Sequence, residues 1–335
     1  MSKRVLNILV SIIVAALFVW LAIRSVDLTE LWIQMRSVTY YWIPFFIVAM
    51  LFSHFLRAER WRLLLISENR SVNRSTLFAG VMLGYVFNNL IPRLGEISRP
   101  VYVAKQQNMS SSNLIGTIVI ERLIDVATMM FLILLAAIYL VSDLEMLHQL
   151  FGTEDWPWFV YLAIPLLFVL VGAGLWLMYK LLLILENKSD ISSPLVLKIV
   201  EKARSFSEGM ISIRYVKNWP LFLLLTAGIW GGYIIMTFLP FYMMNLQDLY
   251  GLGLSDAVVL TMVSSVGVSI PTPAGIGSYH LLMQQSMWLL YEVPLVTALT
   301  YATITHAINV LAVFLIGPIA LWWDKYNTLK QTGIR

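Results

Sequence analysis

Two polar interruptions in an apolar chain set the limits on how it can fold. The first is Asn88-Asn89-Leu90-Ile91-Pro92-Arg93-Leu94-Gly95-Glu96-Ile97-Ser98-Arg99-Pro100. It follows an apolar run from Thr76 to Phe87 and places two prolines, a glycine, two arginines and a glutamate where a membrane helix would continue. The second, Ile270-Pro271-Thr272-Pro273-Ala274-Gly275-Ile276-Gly277-Ser278-Tyr279-His280, lies towards the other end. Around them the chain is 59% hydrophobic and 13% charged, whereas a soluble domain is about half apolar and a quarter charged. Non-helical backbone at membrane depth survives only when buried in protein or lining a wet cavity. Ionisable groups there point to function.

The chain is therefore expected to be an all-α polytopic membrane protein, one transmembrane domain over residues 1–335. Lys3 and Arg4 precede an apolar run from Val5 to Ile23. That run is long enough to span a bilayer, which needs about 20 residues. Arg24-Ser25-Val26 offers no small-residue cleavage site, so the run reads as an uncleaved first helix with a cytoplasmic N-terminus. A second span is expected from Tyr40 to Leu56. The basic stretch beyond it, with Arg57, Arg60, Arg62, Arg70 and Arg74, reads as cytoplasmic. Trp61 and the arginine stems are expected to snorkel at the interface.

A long helix is expected from Asn113 to Val141, with Ser112 as its N-cap. The loop after it holds Asp143, Glu145, Glu154 and Asp155 without Lys or Arg, which suits the outside. An odd number of crossings must then separate Arg74 from Asp143. The helix supplies one, so Thr76 to Met109 should enter and leave by the same face as a re-entrant hairpin. Trp158 to Leu185 should return inside, to a loop rich in Lys and Arg. Within that loop Val196, Ile199, Val200, Ala203, Phe206, Met210 and Ile213 recur at helical spacing. This predicts an amphipathic connector, residues 186–218, lying on the membrane surface or on the protein.

No Lys or Arg occurs from Asn218 to Trp323. A span from Pro220 to Asn245 should reach the outside. Ala257–Ile270 and Ser278–Tyr291 are each too short to cross and read as the limbs of a second hairpin. Pro294 to Trp323 should return inside, leaving both termini cytoplasmic in the plasma membrane. Each half then runs span, span, hairpin, span, in opposite orientation: residues 1–141 and 158–323. About six full spans and two re-entrant hairpins form an inverted-topology repeat, a pattern of secondary transporters.

A broken helix exposes N–H groups at the start of its second limb, and with the helix dipole these make an anion site. Arg93 and Arg99 add forked donors suited to phosphate. Glu96 and Arg99, three apart, should share a face. Glu121 and Asp125 repel at i, i+4 unless a cation lies between them, and Arg93 or Arg99 is expected there; Arg122 stands beside them. Pro92, Gly95, Pro271, Pro273, Gly275, Gly277, Tyr279 and His280 form the hairpin or gate set. A structural ion network is the lesser reading of the charged residues, since buried charges must be paired in any case. A simple turn is the lesser reading of Pro271 and Pro273, and His280 and His306 read as lone packing residues.

No zinc motif, P-loop or dinucleotide fingerprint occurs. The chain has no cysteine, which excludes disulfides and thiolate metal sites. Gly277-Ser278-Tyr279-His280 lacks the nucleophile-elbow pattern of a serine hydrolase. No metal, cofactor or nucleic acid is expected.

Pro92-Arg93-Leu94-Gly95-Glu96 with Arg99, Glu121-Arg122 with Asp125, and Pro271-Thr272-Pro273-Ala274-Gly275-Ile276-Gly277 together resemble the transmembrane family named after lysylphosphatidylglycerol synthase. The resemblance covers nearly the whole chain and implies a stand-alone member without the soluble synthase domain. It implies a flippase-like protein but does not carry a substrate over; a membrane lipid or a polyprenyl-linked lipid is the expected cargo. Arg93, Glu96, Arg99, Glu121, Arg122 and Asp125 are the expected substrate residues. A non-transporting partner of a glycosyltransferase or lipid synthase is a second reading, and an intramembrane lipid-modifying enzyme a third.

Overall fold

The computed structural model describes residues 3–65, 72–140 and 194–332, and every element within them is helical. Among the described residues, three helices are long and apolar enough to cross a membrane: Tyr40–Leu65, Trp219–Met243 and Leu295–Lys330. The expected span Trp158–Leu185 and the acidic loop before it lie outside the described residues.

The apolar helix α1 (Lys3–Ile23) turns by 86° into α2 (Leu28–Ser37). Asp27 caps α2, accepting from the backbone N–H of Thr29 at 2.7 Å and Glu30 at 3.3 Å; this satisfies two of the helix's orphan donors. The sequence reading did not anticipate α2, whose ten residues are too short and too polar to register as a span.

A 3-10 turn, Tyr40–Trp42, leads into α3 (Ile43–Leu65). Here the expectation needs correction. The helix does not stop at Leu56 but continues through Arg57, Arg60 and Trp61, all buried. Trp61 does not snorkel: it is fully buried and donates its indole N–H to Thr117 Oγ1 at 2.8 Å. Among the described arginines of that stretch, Arg62 and Arg74 lie outside the buried set and share Glu59 at 2.9 and 3.0 Å.

The first hairpin is α4 (Arg74–Leu90) and α5 (Gly95–Gln107). Its non-helical part is only Ile91–Leu94, shorter than the sequence implied, because Asn88 to Leu90 and Gly95 to Pro100 are helical. The limbs run antiparallel in close contact. A Cβ on Gly95 would lie 2.0 Å from the Gly84 carbonyl oxygen and 2.7 Å from Asn88 Oδ1. Glycine is required there by the approach of one backbone to another, as at small-residue helix crossings.

α6 (Ser111–Leu140) is capped by Ser110 rather than Ser112: the Ser110 hydroxyl accepts from Asn113 N at 3.4 Å, and its carbonyl from Leu114 N at 3.1 Å. The amphipathic segment is helix α7 (Pro194–Ile211). It lies against α6, where Gly116 and Gly209 bring the two backbones together.

The second half begins with α8 (Trp219–Met243), which packs along α3. A five-residue turn of helix, α9 (Leu246–Tyr250), leads to the second hairpin, α10 (Leu254–Ser269) and α11 (Ser278–Tyr291). Its tip carries Ala274, Gly275 and Gly277 at φ of 55°, 77° and 84°. A Cβ on Gly277 would lie 2.6 Å from the Ala15 carbonyl oxygen, so this tip seats on α1, and it also touches α4.

The last helix, α12 (Leu295–Thr332), extends past Trp323 and packs on α4 and α11. Near its end the buried Asp324 accepts from Ser75 Oγ and Thr76 Oγ1 at 2.8 Å and from Tyr102 Oη at 2.6 Å. One carboxylate thus fastens both limbs of the first hairpin to α12.

Gly95→Ala should destabilise the protein by about 1–3 kcal/mol, the usual cost of overpacking. Gly231→Ala should not, since nothing lies within 4 Å of its Cβ position. Thermal melting of both purified variants in detergent checks the contrast; equal melting would refute the backbone contact.

Candidate functional site

The charged residues of α3, α5 and α6 meet in one buried cluster. Arg57 Nη1 donates to Glu121 Oε1 at 2.7 Å and its Nη2 to Asp125 Oδ2 at 2.8 Å. Arg60 Nη2 donates to Asp125 Oδ1 at 2.6 Å, with Glu121 at 3.6 Å. Arg99 forms a fork on Glu121, 3.1 and 3.0 Å, and its guanidinium lies 4.0 Å above the Trp61 ring.

Glu121 and Asp125 do have a cation between them, as their spacing demanded. It comes from α3, however, and not from Arg93 or Arg99. Arg57 and Arg60 were missed because they read as the start of a cytoplasmic loop. A signal for them was present: Met50, Ser53, Arg57, Arg60, Trp61 and Leu64 recur at helical spacing and are all buried.

Arg93 is exposed at the hairpin tip with φ 64°, and no described residue forms an ion pair with it. Glu96 and Arg99 do not act on one face. Glu96 turns to the partly exposed Arg122, 3.3 Å away, while Arg99 turns inward.

The expected anion site at the start of α5 is already filled by the chain itself. Gly95 N donates to Asn88 Oδ1 at 2.7 Å, Glu96 N to the Arg93 carbonyl at 3.2 Å and Ile97 N to the Leu94 carbonyl at 3.2 Å. Pro92 shapes the tip, and Gly95 the contact with α4.

Unsatisfied donors remain in the cluster instead. Nε of Arg57, Arg60 and Arg99 has no partner among the described residues, nor has either ring nitrogen of His54. Buried polar groups are normally paired. Among the described residues three guanidiniums face two carboxylates, which leaves one positive charge in excess. A small pocket lined by Arg57, Tyr85, Asn88, Arg99 and Arg122 opens onto the cluster. Beside it, between α5 and α6, runs an apolar groove of about 310 Å³ walled by Ile97, Ile115, Val119, Leu123 and Val126. Glu96, Ile118 and Arg122 line both spaces.

The tip of the second hairpin is internally tied. Ser278 Oγ reaches the carbonyls of Gly267 and Gly275 at 2.8 and 3.2 Å and lies 3.0 Å from Thr272 Oγ1. His280 Nδ1 accepts from Gly277 N at 3.4 Å and does not engage Ser278, so the Ser-x-His sequence forms no nucleophile–base contact. Pro271 is exposed, and Pro273 begins the short 3-10 turn Pro273–Gly275. Tyr279 is buried and its hydroxyl pairs with Thr305 at 2.8 Å. His280 and His306 are not lone residues: their rings stack with centroids 4.8 Å apart.

A buried ion network, two helical hairpins and several apolar helices define a multi-pass helical membrane protein. The chain belongs to the family described as the lysylphosphatidylglycerol synthase TM region, whose model matches residues 8–317. It is 22% identical over 309 residues to the UPF0104 membrane protein MJ1595 of Methanocaldococcus jannaschii, covering 88% of this chain and 87% of that one. It is 23% identical over 334 residues to the UPF0104 membrane protein PH1989 of Pyrococcus horikoshii, covering 95% and 96%. No solved structure matches the chain.

Glu121 neutralises two helices at once, so Glu121→Gln should cost about 3–5 kcal/mol by stranding buried guanidiniums. Arg99→Gln should also destabilise, and the double variant should lose less than the sum of the two. Melting temperatures of the parent and three variants check this; strict additivity would mean the pair is not coupled.

Proposed function

We propose that the protein is a lipid transporter of flippase type that takes an anionic, phosphate-bearing headgroup. The observation that carries this reading is the buried excess of guanidinium donors beside an apolar groove. Arginine forks match phosphate geometry, and a buried charge of one sign with unfilled donors awaits a counter-charge. In this reading the small pocket, about 20 Å³ in this structure, widens to admit the headgroup against Arg57 and Arg99, and one chain lies in the groove between α5 and α6. Glu96 and Arg122 stand at the mouth between the two. Glu121 and Asp125 hold the arginines in place and limit the net charge.

The hairpins α4–α5 and α10–α11 are taken as re-entrant, entering from opposite faces of the plasma membrane as parts of an inverted repeat of residues 1–141 and 158–323. Both termini would be cytoplasmic. The contact of the second tip with α1 and α4 supports a role as the outer gate, closing on the helices around the headgroup. Among the candidate substrates, a phospholipid and a polyprenyl-linked phosphate share the chemistry that this pocket recognises.

The reading is tested in phosphatidylcholine liposomes holding only this protein and a trace of fluorescent anionic phospholipid. A membrane-impermeant quencher should reach the inner-leaflet probe in proteoliposomes and not in empty vesicles. Val119→Trp fills the groove without touching a charge. It should slow probe movement at least about tenfold, a barrier change near 1.4 kcal/mol, at an unchanged melting temperature. Probe protected equally in both vesicle types would leave a non-transporting membrane partner as the better reading.

A further inference from the structure

Among the described residues, His54 has two buried polar atoms and no hydrogen-bond partner for either. It is 3% exposed on α3. Its ring stacks on Tyr85 of α4, with centroids 4.1 Å apart and planes at 24°. Tyr85 lines the headgroup pocket together with Arg57 and Arg99, and Arg57 follows His54 by one helical turn on the same face.

A neutral imidazole carries one donor and one acceptor, and here both are idle. Adding a proton would give it two donors and a charge. That charge would stand beside a cluster already one positive charge in excess, a like-charge juxtaposition that empty surroundings oppose. An anion in the pocket reverses this. It neutralises the excess and brings acceptor oxygens to donors that lack them. Proton and anion therefore supply what the other requires.

We infer that His54 is a proton-binding site coupled to the headgroup pocket, so that each anionic headgroup is taken up together with a proton. This rests on the headgroup reading above. The balance is simple: one proton passes from water to an imidazole nitrogen as the anion enters, and leaves when the anion leaves. No other bond changes.

The titratable and charged groups facing His54 are few. They are Arg57 on its own helix, Tyr85 on α4, Arg99 on α5, Glu121 and Asp125 on α6, and Tyr233 on α8, whose hydroxyl lies 3.2 Å from that of Tyr85. α12 offers none between His306 and Asp324. Glu121 is held by Arg57, Arg60 and Arg99, and Asp125 by Arg57 and Arg60, which leaves the imidazole as the group free to change charge.

The test uses the purified full chain in detergent and dioctyl phosphate, whose diester charge stays fixed where a phosphate monoester would itself titrate near pH 6. Calorimetric titration in buffers of different ionisation enthalpy counts the protons taken up per anion bound. The parent should take up roughly one, and its affinity should fall by up to about tenfold per pH unit as pH rises towards 8. His54→Gln should bind at every pH with the weaker affinity the parent shows at pH 8, and take up none; His54→Asn serves if the glutamine variant fails to fold. Parent binding without proton uptake would overturn the inference and leave the headgroup site standing. Uptake that persists in a folded His54 variant would overturn it by assigning the proton elsewhere. Failure of the parent to bind dioctyl phosphate at all would remove both the site and its coupling.

Discussion

The pair of hydrogen bonds from Arg57 to Glu121 and Asp125 is the contact on which the centre of this protein depends. It joins α3 to α6, and Arg99, forked on the same Glu121, joins α5 to both. Ionic groups taken out of water repay their desolvation only when the geometry is good and the remaining donors are satisfied. Here the first condition is met and the second is not. Apart from Arg60 Nη1, which donates to Thr226 Oγ1 at 3.4 Å, the guanidinium hydrogen bonds go to carboxylates, while each Nε is left over. A network built only for rigidity would be expected to close on itself. This one holds three arginines in fixed positions and keeps part of their hydrogen-bonding capacity in reserve.

The first hairpin is arranged around that network. Its tip is stabilised internally by Asn88 and its limbs meet at Gly84 and Gly95. At the end away from the tip Asp324 collects hydroxyls from Ser75, Thr76 and Tyr102. Arg99 is thus carried on a limb fixed at both ends, which places its guanidinium over Trp61 and against Glu121 without reliance on loop backbone. Glu96, three residues earlier, is left on the other side of the helix, where it meets Arg122 at the mouth of the apolar groove. One helical limb therefore turns a buried cation to the network and a part-exposed carboxylate to the groove.

Much of this was legible in the chain. The prolines and glycines of the two breaks, together with limbs too short to span, located both hairpins. The i, i+4 spacing of Glu121 and Asp125 required a cation between them. What failed was the origin of that cation. Charge counting assigns Arg57 and Arg60 to a cytoplasmic loop because it cannot see that α3 continues past Leu56 and turns those side chains towards α6. Asp324 escaped notice for a related reason: beside Lys325 at the end of an apolar run it looks like an ordinary interfacial charge, and only the fold brings Ser75 and Tyr102 to it. The anion site expected at the start of α5 was reasonable from the break alone. Asn88, seven residues back in sequence, fills it, and no local pattern announces that contact.

The account's central claim is that a phosphate-bearing headgroup completes the arginine cluster. Electron cryomicroscopy of the protein in nanodiscs containing anionic phospholipid tests it most directly. The account predicts headgroup density within hydrogen-bonding distance of Arg57 and Arg99, continuous with chain density in the groove between α5 and α6. A well-ordered cluster with no such density, and lipid seen only around the outer surface of the helices, would contradict it.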